Sequence, residues 1–413
     1  MQRKGVTEIT KLLAKNISTK CLHLEYRAVS NDGVIAISNF LNMNTSLEEL
    51  YLYADLVCDS GAEAISNSLI INTSLKRLDL GDNSIGNNGS ISISNSLLKN
   101  TSLKQLNLAK NKISSKGAIS ILNSLGENTS ITHLCLDGNK ISFARNRISS
   151  KIATLTSKSI IKNTSLTSLS LRYNSIADHG AILISKALVR NTSLTHLDLS
   201  LNSITDKGAN LISNSLIRNT SLIYLYLGGN SITENGATSI SNLLAKNTSL
   251  TFLHLNYNKI SSGGTTLISN SLIENTSLKY IHLDGNLISD DGATSISNAL
   301  IKNTSLTHLQ IGDNSITDKG ATSISSLIIK NTLLKSLYLG HNLISDNGAT
   351  LISNALVKNT SLTYLDFHVI NNDEIHESIR NQLDINANDN ARFKKRNDFL
   401  YWLPMKLLYK KKM

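Results

Sequence analysis

The chain has 413 residues and is 40% apolar, enough to bury a core, yet it holds a single proline, Pro404, so the usual punctuation of loops and domain linkers is missing. Its formal net charge is +11, but Asp384–Met413 carries eight Lys/Arg against three Asp, which leaves a mild +6 for everything before it and argues against a nucleic-acid surface running the length of the chain. Three scattered cysteines (Cys21, Cys58 and Cys135), no apolar leader and no run approaching ~18 apolar residues argue against a disulfide-stapled secreted protein or a membrane-spanning one; a cytoplasmic location is expected.

One phrase recurs along the chain. Asn-Thr-Ser-Leu or a close variant begins at Asn16, Asn44, Asn72, Asn100, Asn128, Asn163, Asn191, Asn219, Asn247, Asn275, Asn303, Asn331 and Asn359. Each step is 28 residues except the 35 from Asn128 to Asn163, so about 13 repeats of 28 residues fill 1–386, and 387–413 is left as a basic, aromatic tail. The unit that starts at Asn191 shows what each copy does. Leu194, Leu197 and Leu199 face inward from a short strand that turns His196 and Asp198 outward. Asn202 serves the turn that leaves the strand, and Ile204 returns to the core. Ala209, Ile212 and Leu216 then form one apolar helix face behind Gly208. Asn219 ends the helix, where a left-handed residue is expected, and the cycle restarts. No unit can bury its leucines alone, so neighbours must stack.

These residues, LxxLxLxxNxI followed by GA and a further Leu, resemble the ribonuclease-inhibitor-like class of leucine-rich repeats, which also forms the ligand-sensing end of NOD-like receptors. The resemblance covers over nine-tenths of the chain. It implies an α/β solenoid of horseshoe shape, with a parallel sheet on the concave face, helices on the convex face and a protein as partner. One branch of the class resembles Ran GTPase activators, so GTPase activation is an alternative reading.

Several motifs have structural explanations. Twelve of the corner asparagines open an Asn-x-Ser triplet, but as part of the repeat phrase they are expected at helix-to-strand corners rather than under glycans. Acids stand two residues before the helix Gly (Asp178, Asp206, Asp290), and Lys or Arg precedes the corner Asn, as the helix dipole favours. There is no phosphate loop, CxxC, HExxH or Gly-x-Ser-x-Gly, so no enzyme, cofactor or metal is expected.

The seven-residue excess after Asn139 places Phe143, Arg145 and Arg147 on a rim loop. Beyond it, the two outward strand positions become rich in rings. From His196 to Asp366 they carry His196, Tyr224, Tyr226, Phe252, His254, Tyr280, His282, His308, Tyr338 and Tyr364, ten of fourteen; the first six strands carry three of twelve. Core packing does not require this, so a concave protein-binding patch on a monomer is expected, with affinity that changes between about pH 5 and 7.5 as the imidazoles titrate. The tail, with Phe393, Phe399, Leu400 and Trp402, is expected to cap the open end of the array, with nucleic-acid or membrane-surface binding as its rival.

Overall fold

The computed structural model describes residues 18–27, 29–142, 150–367 and 373–391. Thirteen three-residue strands, from β1 (Cys21–His23) to β13 (Tyr364–Asp366), form one parallel sheet in strict chain order, and a helix follows each strand. This is the expected leucine-rich-repeat solenoid. Pairing is in register throughout, with Leu197 opposite Leu225 and Leu225 opposite Leu253, so the inward leucines stack into one continuous apolar column. The helix Asp206–Leu216 buries Gly208, Ala209, Ile212 and Leu216 against that column, as its spacing predicts.

Two asparagine ladders tie most units to the one before; at the strand exit of the second unit Asp55 stands in place of Asn and accepts from Arg27 N. At the corner, Asn219 Nδ2 donates to Leu188 O (2.9 Å) and Asn191 O (3.1 Å), while its Oδ1 accepts from Ser221 N and Leu222 N. At the strand exit, Asn202 Nδ2 donates to Leu171 O, Leu199 O and Ser200 O, and its Oδ1 accepts from Ile176 N. Both side chains are buried, so their polar atoms must find partners in the protein, and they do. The same burial takes the corner amides out of reach of glycosylation chemistry.

The expectation for the helix end is corrected here. The corner asparagines are not left-handed; Asn247, for example, is extended, with φ −84° and ψ 135°. Positive φ falls instead on the residue just before the strand-exit Asn, as at Leu201 (53°) and Tyr257 (52°). That conformation costs an ordinary side chain roughly 1–2 kcal/mol, and the three bonds donated by the following Asn amide offset it.

The acids before the helix Gly do more than complement their own helix. Asp178 Oδ1 accepts from Thr205 N (2.9 Å) and Gly208 N (3.0 Å) of the next unit, and Oδ2 accepts from the Thr205 hydroxyl. Asp206 and Asp290 repeat the arrangement one unit on. Each carboxylate thus caps the helix of its successor.

The 35-residue unit leaves these ties intact. His133 still pairs with Ser168, and Asn163 Nδ2 still reaches Leu125 O and Asn128 O. Phe143, Arg145 and Arg147 lie outside the described residues. At the far end the helix Asp373–Ala391 runs across the expected boundary at 386. Ile379 is buried and Leu383 partly so against the last unit, and Asn386 Nδ2 donates to Leu362 O at 2.8 Å.

A Cβ at Gly208 would stand 2.6 Å from Asp178 Oδ1 and 2.7 Å from Ile204 Cγ2. Gly208→Val should therefore push the capping carboxylate away and destabilise the array by about 1–3 kcal/mol, read as a lower thermal midpoint. An unchanged midpoint would show that this close approach is not needed.

Candidate protein-binding face

Register decides what the outward side chains meet. The first outward positions align as His196, Tyr224, Phe252, Tyr280, His308, Ser336 and Tyr364; the second as Asp198, Tyr226, His254, His282, Gln310, Tyr338 and Asp366. Parallel strands lie ~4.8 Å apart, close to the spacing of stacked rings, so neighbouring rings lean on one another. Centroids are 4.0 Å apart for His196 and Tyr224, 4.4 Å for Tyr224 and Phe252, and 5.7 Å for Phe252 and Tyr280. Tyr226 meets His254 at 4.4 Å, and His254 crosses to Tyr280 at 4.9 Å and His282 at 5.3 Å. Tyr280 also reaches His308 at 5.9 Å. Tyr338 lies over Gly312, where a Cβ would come within 2.5 Å of its ring.

The structure thus brings nine of the ten expected residues, from His196 to Tyr338, into contact rows or onto the sheet beside them. Tyr364, on the last strand, is the most open, at 41% exposure. Two expectations need correction. His254 and His282 are not free outward groups: they are 8% and 5% exposed, with their Nδ1 atoms 3.3 Å apart. His254 also does not supply the expected titration. Burial, and then His282, pushes His254 down to about 3, and burial, with His133 secondary, lowers His196. Charging the buried His254 ring costs its hydration, so its neutral form persists through the expected range.

The carboxylates behave in the opposite sense. Burial holds Asp198 up at about 6, against the hydrogen bond from Ser200 N (2.8 Å); Asp137 raises it further and Arg172 lowers it. Burial is also the main reason that Tyr226 and Tyr338 are pushed up to about 12, with Asp198 adding at the first and Asp366, Asp284 and Asp313 at the second.

A third outward position was missed from the sequence, although the alternation runs on for one more step. It holds Asp137, which accepts from Ser170 Oγ (2.5 Å) and Arg172 N (2.9 Å), and Asp284, which accepts from Gly312 N at 2.7 Å. His282 Nε2 stands 2.8 Å from Asp284 Oδ2 but out of line for a hydrogen bond. The N-terminal strands differ in kind. There Tyr51 donates to Glu49 (2.6 Å) under the Arg77 guanidinium, and Asn107 donates to Asp79 (2.9 Å), so charged and polar groups largely satisfy one another. Among the described residues no group of three or more His, Cys, Asp or Glu could hold a metal, and no helix is long and apolar enough to cross a membrane.

Asp198 also makes the stability of the array depend on pH. Its folded value of about 6 lies above the ~3.9 of an unfolded Asp. The folded state therefore binds the extra proton, and the penalty is complete above about pH 6 and gone below about pH 4. Asp198→Asn keeps an acceptor for Ser200 N and removes the charge. It should raise the thermal midpoint at pH 7.5, by the equivalent of about 1–3 kcal/mol, with the gain fading as pH falls to 4. A gain that is the same at both pH values would point to packing instead.

Comparison with known proteins gives a family and similar solved structures. Two examples come from the solved structures similar to the chain. One is an internalin, InlF, from Listeria monocytogenes, 23% identical at a TM-score of 0.46, over 82% of this chain and 94% of that one. The other is actin-binding site 2 of leiomodin-1, 22% identical at a TM-score of 0.35, over 39% and 92%. No curated protein matches. The profile of a leucine-rich repeat matches residues 330–353, within the penultimate unit. The profile of the MHP1/HER1/GIP3 LRR domain matches residues 60–314, more than half of the chain and most of the ringed face, and the chain therefore belongs to the MHP1/HER1/GIP3 family of leucine-rich-repeat domains.

Proposed function

We propose that the chain is a non-enzymatic protein-binding scaffold or sensor that takes its partner on the concave face of its C-terminal half. The observation that carries this reading is the in-register alignment of ring-bearing residues on seven consecutive strands, beside six strands that carry rings only at His23, Tyr51 and His133. Stacking braces most of these rings before any partner arrives. Their faces are spent on one another, so Tyr224, Tyr226 and Tyr280 offer edges and hydroxyl groups held in fixed positions. A braced side chain loses little entropy on binding, which is what an interface anchor needs.

The 28-residue period, with a full helix in every unit, supports the ribonuclease-inhibitor-like class, and with it a likeness to the ligand-sensing end of NOD-like receptors. In this reading 1–386 is the array and 387–413 closes its open end, the role that Ile379, Leu383 and Asn386 begin. GTPase activation has no specific observation in its favour, and the tail on which nucleic-acid or membrane binding would rest lies outside the described residues from 392 onward.

The test compares two triple variants. Replacing Tyr226, Phe252 and Tyr280 with Ala should remove proteins that the immobilised wild-type chain retains, each anchor costing about 1–3 kcal/mol. Replacing Glu49, Arg77 and Gln105 with Ala should leave them bound. If the second variant loses the partner while the first, shown to be folded by circular dichroism, keeps it, recognition belongs to the N-terminal half.

A further inference from the structure

The chain is rich in cations, with 41 Lys+Arg against 30 Asp+Glu, but the ringed face does not share that excess. Across the strands from His196 to Asp366, none of the three outward positions among the described residues is Lys or Arg, and three are Asp: Asp198, Asp284 and Asp366. Lys279 and Lys335 come before the first outward residue of their strands, at the end away from these carboxylates. On the turn beyond, Asp313 adds another, with Oδ2 accepting from Tyr257 Oη at 2.6 Å.

Spacing and pairing matter more than number. Asp198 and Asp366 end β7 (His196–Asp198) and β13, and Asp284 lies two residues beyond β10 (Tyr280–His282), so the carboxylates recur every third strand, roughly 14 Å apart measured across the sheet at ~4.8 Å per strand. Among the described residues no Lys or Arg forms an ion pair with any of them. Asp284 Oδ1 accepts from Gly312 N, and its Oδ2 has His282 beside it, whose buried Nε2 makes no hydrogen bond. These are partly desolvated carboxylates on a sheet face whose other outward groups are rings and uncharged polar side chains, and a cation laid over them would recover Coulomb energy that water supplies poorly there.

We propose that the occupant of this face is an extended segment of a partner protein bearing Lys or Arg at about every fourth residue, an inference that rests on the concave-face reading above. Four residues of extended chain span ~13 Å, which matches the recurrence of the carboxylates. The segment runs across the strands, its cations set over Asp198, Asp284 and Asp366. Its backbone lies along the ring edges and hydroxyls of Tyr226, Tyr280 and Tyr338. Nucleic acid is a poor occupant, because its phosphates would meet the same carboxylates.

The experiment uses the full chain and three labelled 16-residue peptides with Gly/Ser filler: Arg at every fourth position, the same Arg residues grouped at one end, and Glu at every fourth position. Anisotropy titration should rank the spaced Arg peptide first, about fivefold tighter than the grouped one, with no binding of the Glu peptide. The triple variant Asp198→Asn, Asp284→Asn, Asp366→Asn keeps the acceptors and should weaken the spaced peptide about tenfold or more; Asp79→Asn on the N-terminal half should not. Failure of the wild-type chain to bind the spaced peptide, or equal binding of the Glu peptide, overturns the proposal. If the Asn triple binds normally but the Tyr226, Phe252 and Tyr280 Ala triple does not, the charge inference falls and the concave-face reading stands. If neither variant weakens binding, both fall. Binding that emerges only after removal of 392–413 would make the chain's own basic segment the occupant and overturn assignment to a partner.

Discussion

The structure depends on a buried asparagine side chain that crosses from one unit to the next. A parallel solenoid has connections at both ends of every strand, and the backbone groups there have no ladder partner of their own. An asparagine amide supplies two donors and an acceptor from a short stem, and it does so twice per unit, at the corner and at the strand exit. Asn219 and Asn202 each bond both to their own turn and to the carbonyls of the preceding unit. A leucine at either place would be as buried and would leave several polar groups unsatisfied. The apolar column supplies most of the driving force; the asparagines set the pitch at which it is built.

That pitch governs the ringed face. The strands are only three residues long, so the position of an outward ring is set almost wholly by the ties on either side of it. Because those ties repeat without slippage, His196, Tyr224, Phe252, Tyr280 and His308 fall into one row, and the spacing of the backbone becomes the spacing of the stack. The acid caps, Asp178 and its successors, fix the helices of the convex side in the same way. Recognition is then free to vary at positions that the scaffold does not use.

Much of this was legible in the sequence because it is local or periodic. The 28-residue step, the inward leucines, the helix face of Ala209, Ile212 and Leu216 and the outward pairs all follow from patterns within one unit. What was not legible depends on the neighbouring units. The left-handed residue was misplaced because Leu201 and Tyr257 carry no preference for that conformation; the following Asn amide imposes it. His254 and His282 read as free side chains because burial by rings 28 residues away has no signature in their own unit. The pH expectation failed at His254 for the same reason. Rings that stack lose water, so the His254 imidazole stays neutral while the Asp198 carboxylate keeps its proton to a higher pH.

The crossing amides also bear on how such a chain changes over generations. Apart from units near the ends, such as the one in which Asp55 replaces the strand-exit Asn, the units present the same acceptors to their successors and the same donors to their predecessors, so a duplicated or deleted 28-residue segment rejoins with its hydrogen bonds complete. Partial segments do not have this freedom unless, like the seven extra residues after Asn139, they fall between two ties. Array length, and with it the span of the concave surface, is therefore a nearly neutral variable under recombination, and unequal crossover between identical phrases is a direct genetic route to a longer or shorter binding face.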